Sequence, residues 1–265
     1  MSRITLTQLR KLKAKGEKIA VLTAYDASFA NLLDQACLEI LLVGDSLGMV
    51  IQGHDSTLPV TVEDMIYHCQ QVHRGSQQTL LIVDMPFMSY ATPNTALETA
   101  ARLMREGQAQ VVKLEGGAWL VETVRMLTER GIPVCAHLGL TPQSVYQLGG
   151  YRIQGRTVNE ARRLRNDALA LQAAGASLLV LECVPSQLAA DITASLEIPV
   201  IGIGAGAACD GQVLVLYDML GITPGKRPSF SKDFLQETGT ILAAIEAFVR
   251  AVKEGTFPGE EHTFK

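Results

Sequence analysis

The chain has 265 residues, 48% hydrophobic and 19% charged, with a formal net charge of −4, so it can bury a large core and lacks the broad basic surface that phosphate-backbone binding requires. Nucleic acid is therefore excluded as an expected partner. Five scattered cysteines without a C-x-x-C pair, a polar N-terminus and the lack of any apolar run near about 18 residues exclude a disulfide framework, structural zinc and membrane insertion, so a cytoplasmic location is expected.

The first predicted element is an N-terminal helix over about residues 5–15, whose stretch Arg10-Lys11-Leu12-Lys13-Ala14-Lys15 reads as a solvated face. Apolar runs rich in Val, Ile and Leu follow at 19–24, 39–44, 79–83, 110–114, 132–136, 177–181 and 199–203, with a weaker eighth around 219–222. Such runs suit strands buried on both faces of a parallel sheet, and each precedes a helical pattern. Thr61 opens one helix and Thr92-Pro93 another that runs through Arg105, while Gly75, Gly107, Gly131 and Gly175 fit helix stops. Arg162-Arg163-Leu164-Arg165 reads as a second solvated face, and a long polar helix from about 232 to 253 lies within a C-terminal helical extension of about 230–255.

Eight such repeats without a linker predict an α/β chain, a single-domain (β/α)8 TIM barrel over residues 1–265. An open doubly wound sheet is the competing architecture. Gly202-Ile203-Gly204-Ala205-Gly206-Ala207 loosely resembles a dinucleotide fingerprint, but it follows the seventh strand instead of the first. It reads instead as a tight turn that lets backbone approach a ligand at the barrel mouth.

Polar residues end the apolar runs: Tyr25-Asp26, Asp45-Ser46, Asp84, Glu115, His137 and Glu182, with Lys113 inside the fourth. In a parallel barrel these ends share one face, so the side chains converge. Several buried carboxylates need a compensating cation. Oxygen ligands suit Mg²⁺, with Asp45 and Asp84 as ligands and Glu115 bound directly or through water, while Mn²⁺ or Co²⁺ could substitute. A single Asp after a strand is often only a helix cap, which is the weightier reading for Asp26. Lys113 is either paired with a neighbouring acid or grips an anionic substrate, and His137 is either a core histidine or a substrate contact. Glu182, in an apolar segment, suits a general base, and Cys183 beside it reads as an inert buried thiol.

Val43-Gly44-Asp45-Ser46-Leu47-Gly48-Met49, Asp84-Met85-Pro86-Phe87-Met88, Val112-Lys113-Leu114-Glu115-Gly116-Gly117, His137-Leu138-Gly139-Leu140-Thr141-Pro142-Gln143 and Leu181-Glu182-Cys183-Val184-Pro185 together resemble the ketopantoate hydroxymethyltransferase family, and the resemblance extends over essentially the whole chain. It implies transfer of a one-carbon unit from 5,10-methylenetetrahydrofolate to 3-methyl-2-oxobutanoate, giving 2-dehydropantoate in pantothenate synthesis. It further implies Asp45 and Asp84 as Mg²⁺ ligands, Glu115 as the third acid at the metal, Ser46 and Lys113 together with Asp45 and Asp84 binding the oxo acid, Glu182 as proton acceptor, and a decamer of two pentameric rings. The alternatives are another Mg²⁺-dependent 2-oxo-acid lyase or mutase barrel, although no Lys-x-Cys-Gly-His segment is present, and a non-catalytic metabolite-binding barrel.

Overall fold

The seven strong apolar runs all form strands in the computed structural model, which describes residues 3–223 and 225–265. Among the described residues, β1 (Ile19–Thr23), β2 (Ile40–Val43), β3 (Leu80–Asp84), β4 (Val111–Glu115), β5 (Val134–Gly139), β6 (Leu178–Glu182), β7 (Val200–Ile203) and β8 (Gly211–Leu214) make a closed barrel in chain order. Every neighbouring pair is parallel, and β1 closes on β8 with Ile19 opposite Gly211 and Leu22 opposite Leu214. This is the (β/α)8 barrel expected from the sequence. Inward-facing Val21, Ile40, Leu42, Ile82, Leu178, Val180, Ile201 and Val213 fill its interior down to a void of about 10 Å³. That volume is at the threshold for a single water, so the barrel is a packed core and its chemistry is confined to the rim.

The helices are α1 (Leu6–Lys15), α2 (Ala27–Gln35), α3 (Leu47–Val50), α4 (Val62–Gly75), α5 (Pro93–Arg105), α6 (Val121–Glu129), α7 (Val145–Leu148), α8 (Val158–Ala173), α9 (Ser186–Ser195), α10 (Leu216–Met219), α11 (Leu235–Thr238) and α12 (Ile241–Glu254). Thr61 and Thr92 cap α4 and α5 as expected, each accepting a hydrogen bond from the amide three residues on. Asp26 does the same for α2 through the Phe29 amide at 2.9 Å, which settles it as a cap. Gly131 and Gly175 adopt positive φ beyond α6 and α8. Gly75 serves differently: it is the last residue of α4 and lies against the backbone of Ala27, where a Cβ would collide.

Four expectations are corrected. The eighth strand lies at residues 211–214 and not at 219–222, where α10 ends; Gly211-Gln212 interrupts the apolar pattern and hides the strand. No helix joins β7 to β8. The short link turns at Gly204 and Gly206, both at positive φ, and a Cβ there would meet Phe230 and Phe264 at the first and Ser186 at the second, so close packing requires glycine at both. Lys13 is not solvated: its Nζ donates to the Thr193 and Ile198 carbonyls and to Asp210 Oδ2 at 2.8 Å, fastening α1 across the N-terminal end of the barrel. The long C-terminal helix is broken at Gly239 (φ 76), and α12 is amphipathic, burying Ala244, Ile245, Phe248 and Val252.

Asp34 at the end of α2 fixes the entry to β3. Its carboxylate accepts from the Gln77, Gln78 and Thr79 amides and from the Thr79 hydroxyl. Burial alone would raise its pKa, but these bonds outweigh it and hold the carboxyl below its ordinary range. The unfolded chain therefore binds this proton more tightly than the folded one. Asp34→Ala is expected to cost about 1–3 kcal/mol in urea unfolding at neutral pH. The difference between the two proteins should shrink as pH falls below the ordinary Asp value of about 4 and through the lowered folded value; a difference independent of pH would refute this account.

Candidate active site

The barrel register decides which side chains meet. Asp84 at the end of β3 lies opposite Lys113 of β4, Glu115 opposite His137 of β5, and Gly139 opposite Glu182 of β6. Asp45 follows β2, so the acids noted in the sequence converge on the C-terminal face. Asp45, Asp84, Lys113, Glu115 and His137 are all buried, while Glu182 keeps slight exposure.

Asp84 links two of its neighbours. Its Oδ1 receives Lys113 Nζ at 2.5 Å and its Oδ2 accepts the Asp45 amide at 3.1 Å. Lys113 also lies 3.8 Å from Glu115 Oε1. Burial alone would discharge the lysine, but Asp84, Glu115 and Asp45 outweigh it and hold it charged. Structural pairing of Lys113 with an acid is thus the observed arrangement.

His137 bridges the remaining acids, with Nδ1 3.5 Å from Glu115 Oε1 and Nε2 3.4 Å from Glu182 Oε2. These separations exceed ideal hydrogen-bond lengths, so the contacts act chiefly through charge. Burial and Lys113 lower the ring's pKa, yet the two carboxylates more than reverse this, raising it to about 9. Glu182, though it ends an apolar segment, therefore faces a charged ring. Cys183 turns the chain behind it at φ 50, its amide donating to the Ile203 carbonyl and its carbonyl accepting the Gln154 amide. That left-handed backbone is uncommon for a residue other than glycine, and it fixes the end of β6 where Glu182 projects. Burial pushes the Cys183 thiol up, in keeping with an inert thiol.

Two residues without an assigned role in the sequence complete the site. Gln143 Nε2 donates to Asp45 Oδ2 at 2.8 Å and to the Met85 carbonyl at 2.9 Å, and its backbone amide donates to Glu115 Oε2 at 3.0 Å. Buried Tyr90 donates its hydroxyl to Gln143 Oε1 at 2.5 Å. Gln143 stood within a recognised segment, but a buried amide has no periodic signature. Ser46 shares a hydrogen bond of 2.8 Å with the Tyr25 hydroxyl, beside the Asp84 carboxylate; a Cβ on Gly44 would crowd both Ser46 Oγ and Asp84 Oδ2.

Four carboxylates face two cations here, Lys113 and His137. The excess falls on Asp45, whose pKa is raised well above the carboxyl range by burial first and by Asp84 and Glu115 next. A divalent cation would relieve that excess, and the oxygen donors of Asp45 and Asp84 have the hard character Mg²⁺ takes. Among the described residues, no three His, Cys, Asp or Glu side chains are gathered into a metal site. Glu115 directs Oε2 to the Gln143 amide and Oε1 towards His137 and Lys113, and Asp84 is likewise engaged at both oxygens, so among the described residues the oxygen of these three carboxylates free of such contacts is Asp45 Oδ1.

The sequence profile of ketopantoate hydroxymethyltransferase matches residues 3–260. A protein of Nitrosococcus oceani named 3-methyl-2-oxobutanoate hydroxymethyltransferase is 66% identical over 258 residues, covering 97% of this chain and 98% of its own. Another of that name from Shewanella loihica is 60% identical over 264 residues, covering all of both. Among solved structures, 2,3-dimethylmalate lyase, a PEP mutase/isocitrate lyase superfamily member, superposes with a TM-score of 0.60 at 18% identity, covering 96% of this chain and 98% of that one. A phosphonomutase-like protein of Burkholderia cenocepacia gives 0.63 at 17%, covering 82% and 95%. At such low identity the likeness shows the barrel fold and leaves the reaction to the closer relatives. No helix among the described residues is long and apolar enough to cross a membrane.

Proposed function

The chain belongs to the ketopantoate hydroxymethyltransferase family, and from that premise we propose that it transfers a hydroxymethyl unit from 5,10-methylenetetrahydrofolate to 3-methyl-2-oxobutanoate, giving 2-dehydropantoate and tetrahydrofolate for pantothenate synthesis. The observation that carries the mechanism is the division of the acids into two groups. Asp45 and Asp84 are joined by a backbone-to-carboxylate bond on one side, and Glu182 stands apart beyond His137.

In this reading Asp45 and Asp84 hold Mg²⁺, with Mn²⁺ or Co²⁺ as substitutes, and Glu115 supports them from behind. The ion, when bound, supplies Lewis-acid polarisation of the oxo group, an effect of several kcal/mol. Lys113 and the Ser46 hydroxyl, oriented by Tyr25, bind and orient the oxo acid. Glu182 accepts the C3 proton, and His137, whose Nε2 lies 3.4 Å from Glu182 Oε2, holds that carboxylate in place at the rim. C3 forms the new bond to the folate's methylene carbon as the first of that carbon's two bonds to nitrogen breaks, water then displaces the second nitrogen to give the hydroxyl, and the two folate nitrogens take up the C3 proton and one proton from water. The product carbon is quaternary and has no proton for Glu182 to remove again.

Purified protein is expected to consume 3-methyl-2-oxobutanoate only when both 5,10-methylenetetrahydrofolate and a divalent cation are present, followed by chromatography of 2-dehydropantoate. Binding of the oxo acid without turnover would favour the non-catalytic barrel and sink this reading. A cytoplasmic location and a decamer of two pentameric rings belong to the same proposal, the latter checked by light scattering against the chain mass of 28.6 kDa.

A further inference from the structure

A glutamine amide has a donor end and an acceptor end, and in a buried place its neighbours decide which way it points. Around Gln143 that decision is unambiguous. Nε2 meets two acceptors, Asp45 Oδ2 and the Met85 carbonyl, whereas Oε1 meets the Tyr90 hydroxyl. Reversing the amide would set Oε1 against two oxygens and deprive the Tyr90 proton of its short acceptor. Tyr90 is itself held in place: its ring is buried and lies nearly parallel to the Trp119 indole, 14° between planes, and its hydroxyl is 3.4 Å from the Glu115 carbonyl. The indole in turn lies against Gly116, where a Cβ would sit 2.5 Å from its Nε1 and where φ is +146°. A chain of contacts thus runs from the loop after β4 through Tyr90 and Gln143 to one oxygen of Asp45.

We propose that Tyr90 and Gln143 are positioning residues that orient the Asp45 carboxylate for a divalent cation, Gln143 occupying Oδ2 so that Oδ1 is directed at the ion. The inference rests on the reading of Asp45 as a metal ligand. Asp45 projects from a loop, and its amide bond to Asp84 fixes only the backbone. Gln143 is the side chain that fixes its rotation. Partners of this kind, which touch a ligand and not the ion, typically affect metal affinity by about 10–100-fold.

The test is titration of the full chain with Mn²⁺ alone, and again with 3-methyl-2-oxobutanoate, following free Mn²⁺ by electron paramagnetic resonance. Gln143→Met, which preserves volume and removes both polar ends, is expected to bind Mn²⁺ about tenfold or more weakly with a thermal midpoint close to wild type. Tyr90→Phe should fold, because it keeps the ring, and should lose affinity in the same direction by a smaller factor. Wild-type affinity in a folded Gln143→Met protein would overturn the proposal. If that variant does not fold, Tyr90→Phe decides, with unchanged affinity counting against it. Wild-type protein that turns over the oxo acid yet binds no Mn²⁺ would overturn the role of Asp45 and this inference with it, whereas wild-type binding retained by the variants would remove the inference alone.

Discussion

Glu182→Gln is expected to slow exchange of the C3 proton of 3-methyl-2-oxobutanoate, measured in deuterated water without folate, by about 10²–10⁴-fold. The amide keeps the shape of the carboxylate and cannot accept the proton as a base. Omitting folate isolates this step, since no carbon–carbon bond can form. The fold should be unaffected, because the Glu182 side chain keeps slight exposure and its one ionic partner among the described residues is His137, 3.4 Å away. Loss of that carboxylate leaves His137 with Glu115 as its remaining acidic neighbour, so the ring's pKa should fall from about 9 in the variant. Wild-type exchange in Glu182→Gln would exclude Glu182 as the base; His137 could not take its place while both ring nitrogens are protonated.

The charge of the site was legible in the sequence and its connections were not. Asp45, Asp84, Glu115 and Glu182 stand out because a carboxylate at the end of an apolar run has no place in a barrel interior unless it serves the rim. Lys113 stands out for the same reason, but its partner Asp84 lies 29 positions away and is fixed only by the β3–β4 register. Gln143 and Tyr90 are neutral, and neutral polar residues in loops ordinarily face water, so nothing local marks them as buried. The barrel was readable wherever strands were unbroken runs of Val, Ile and Leu. It ceased to be readable at Gly211-Gln212, where Gly211 lies directly against Ile19 of β1 and the Gln212 amide donates to the Gly206 carbonyl; close backbone packing there replaces apolar side chains. Lys13 misled for a related reason, since helix periodicity does not reveal that α1 lies across the barrel base with three acceptors waiting.

Lys113→Met should test how the buried charges balance, and the expected loss of stability is about 3–5 kcal/mol, the usual cost of leaving one member of a buried ion pair alone. Methionine replaces the apolar stem of Lys113, so little of the loss should come from packing. What disappears is the cation 2.5 Å from Asp84 Oδ1, leaving Asp45, Asp84 and Glu115 together in a buried cluster beside His137. Chemical denaturation at neutral pH measures the loss. The double variant Lys113→Met/Asp84→Asn should be more stable than Lys113→Met alone, because it removes the unpaired charge as well as its partner. Added Mg²⁺ should restore part of the stability if it binds the folded site, by about 2.7 kcal/mol at one hundred times its dissociation constant. Turnover should nevertheless stay lost in both variants, since a cation at Asp45 and Asp84 of Lys113→Met restores the charge but not the amine that orients the oxo acid, and the double variant lacks the Asp84 carboxylate as well. A single-variant loss below about 1 kcal/mol, the range of exposed pairs, would mean that Lys113 and Asp84 are solvated in solution and that the buried charge balance described for this site is wrong.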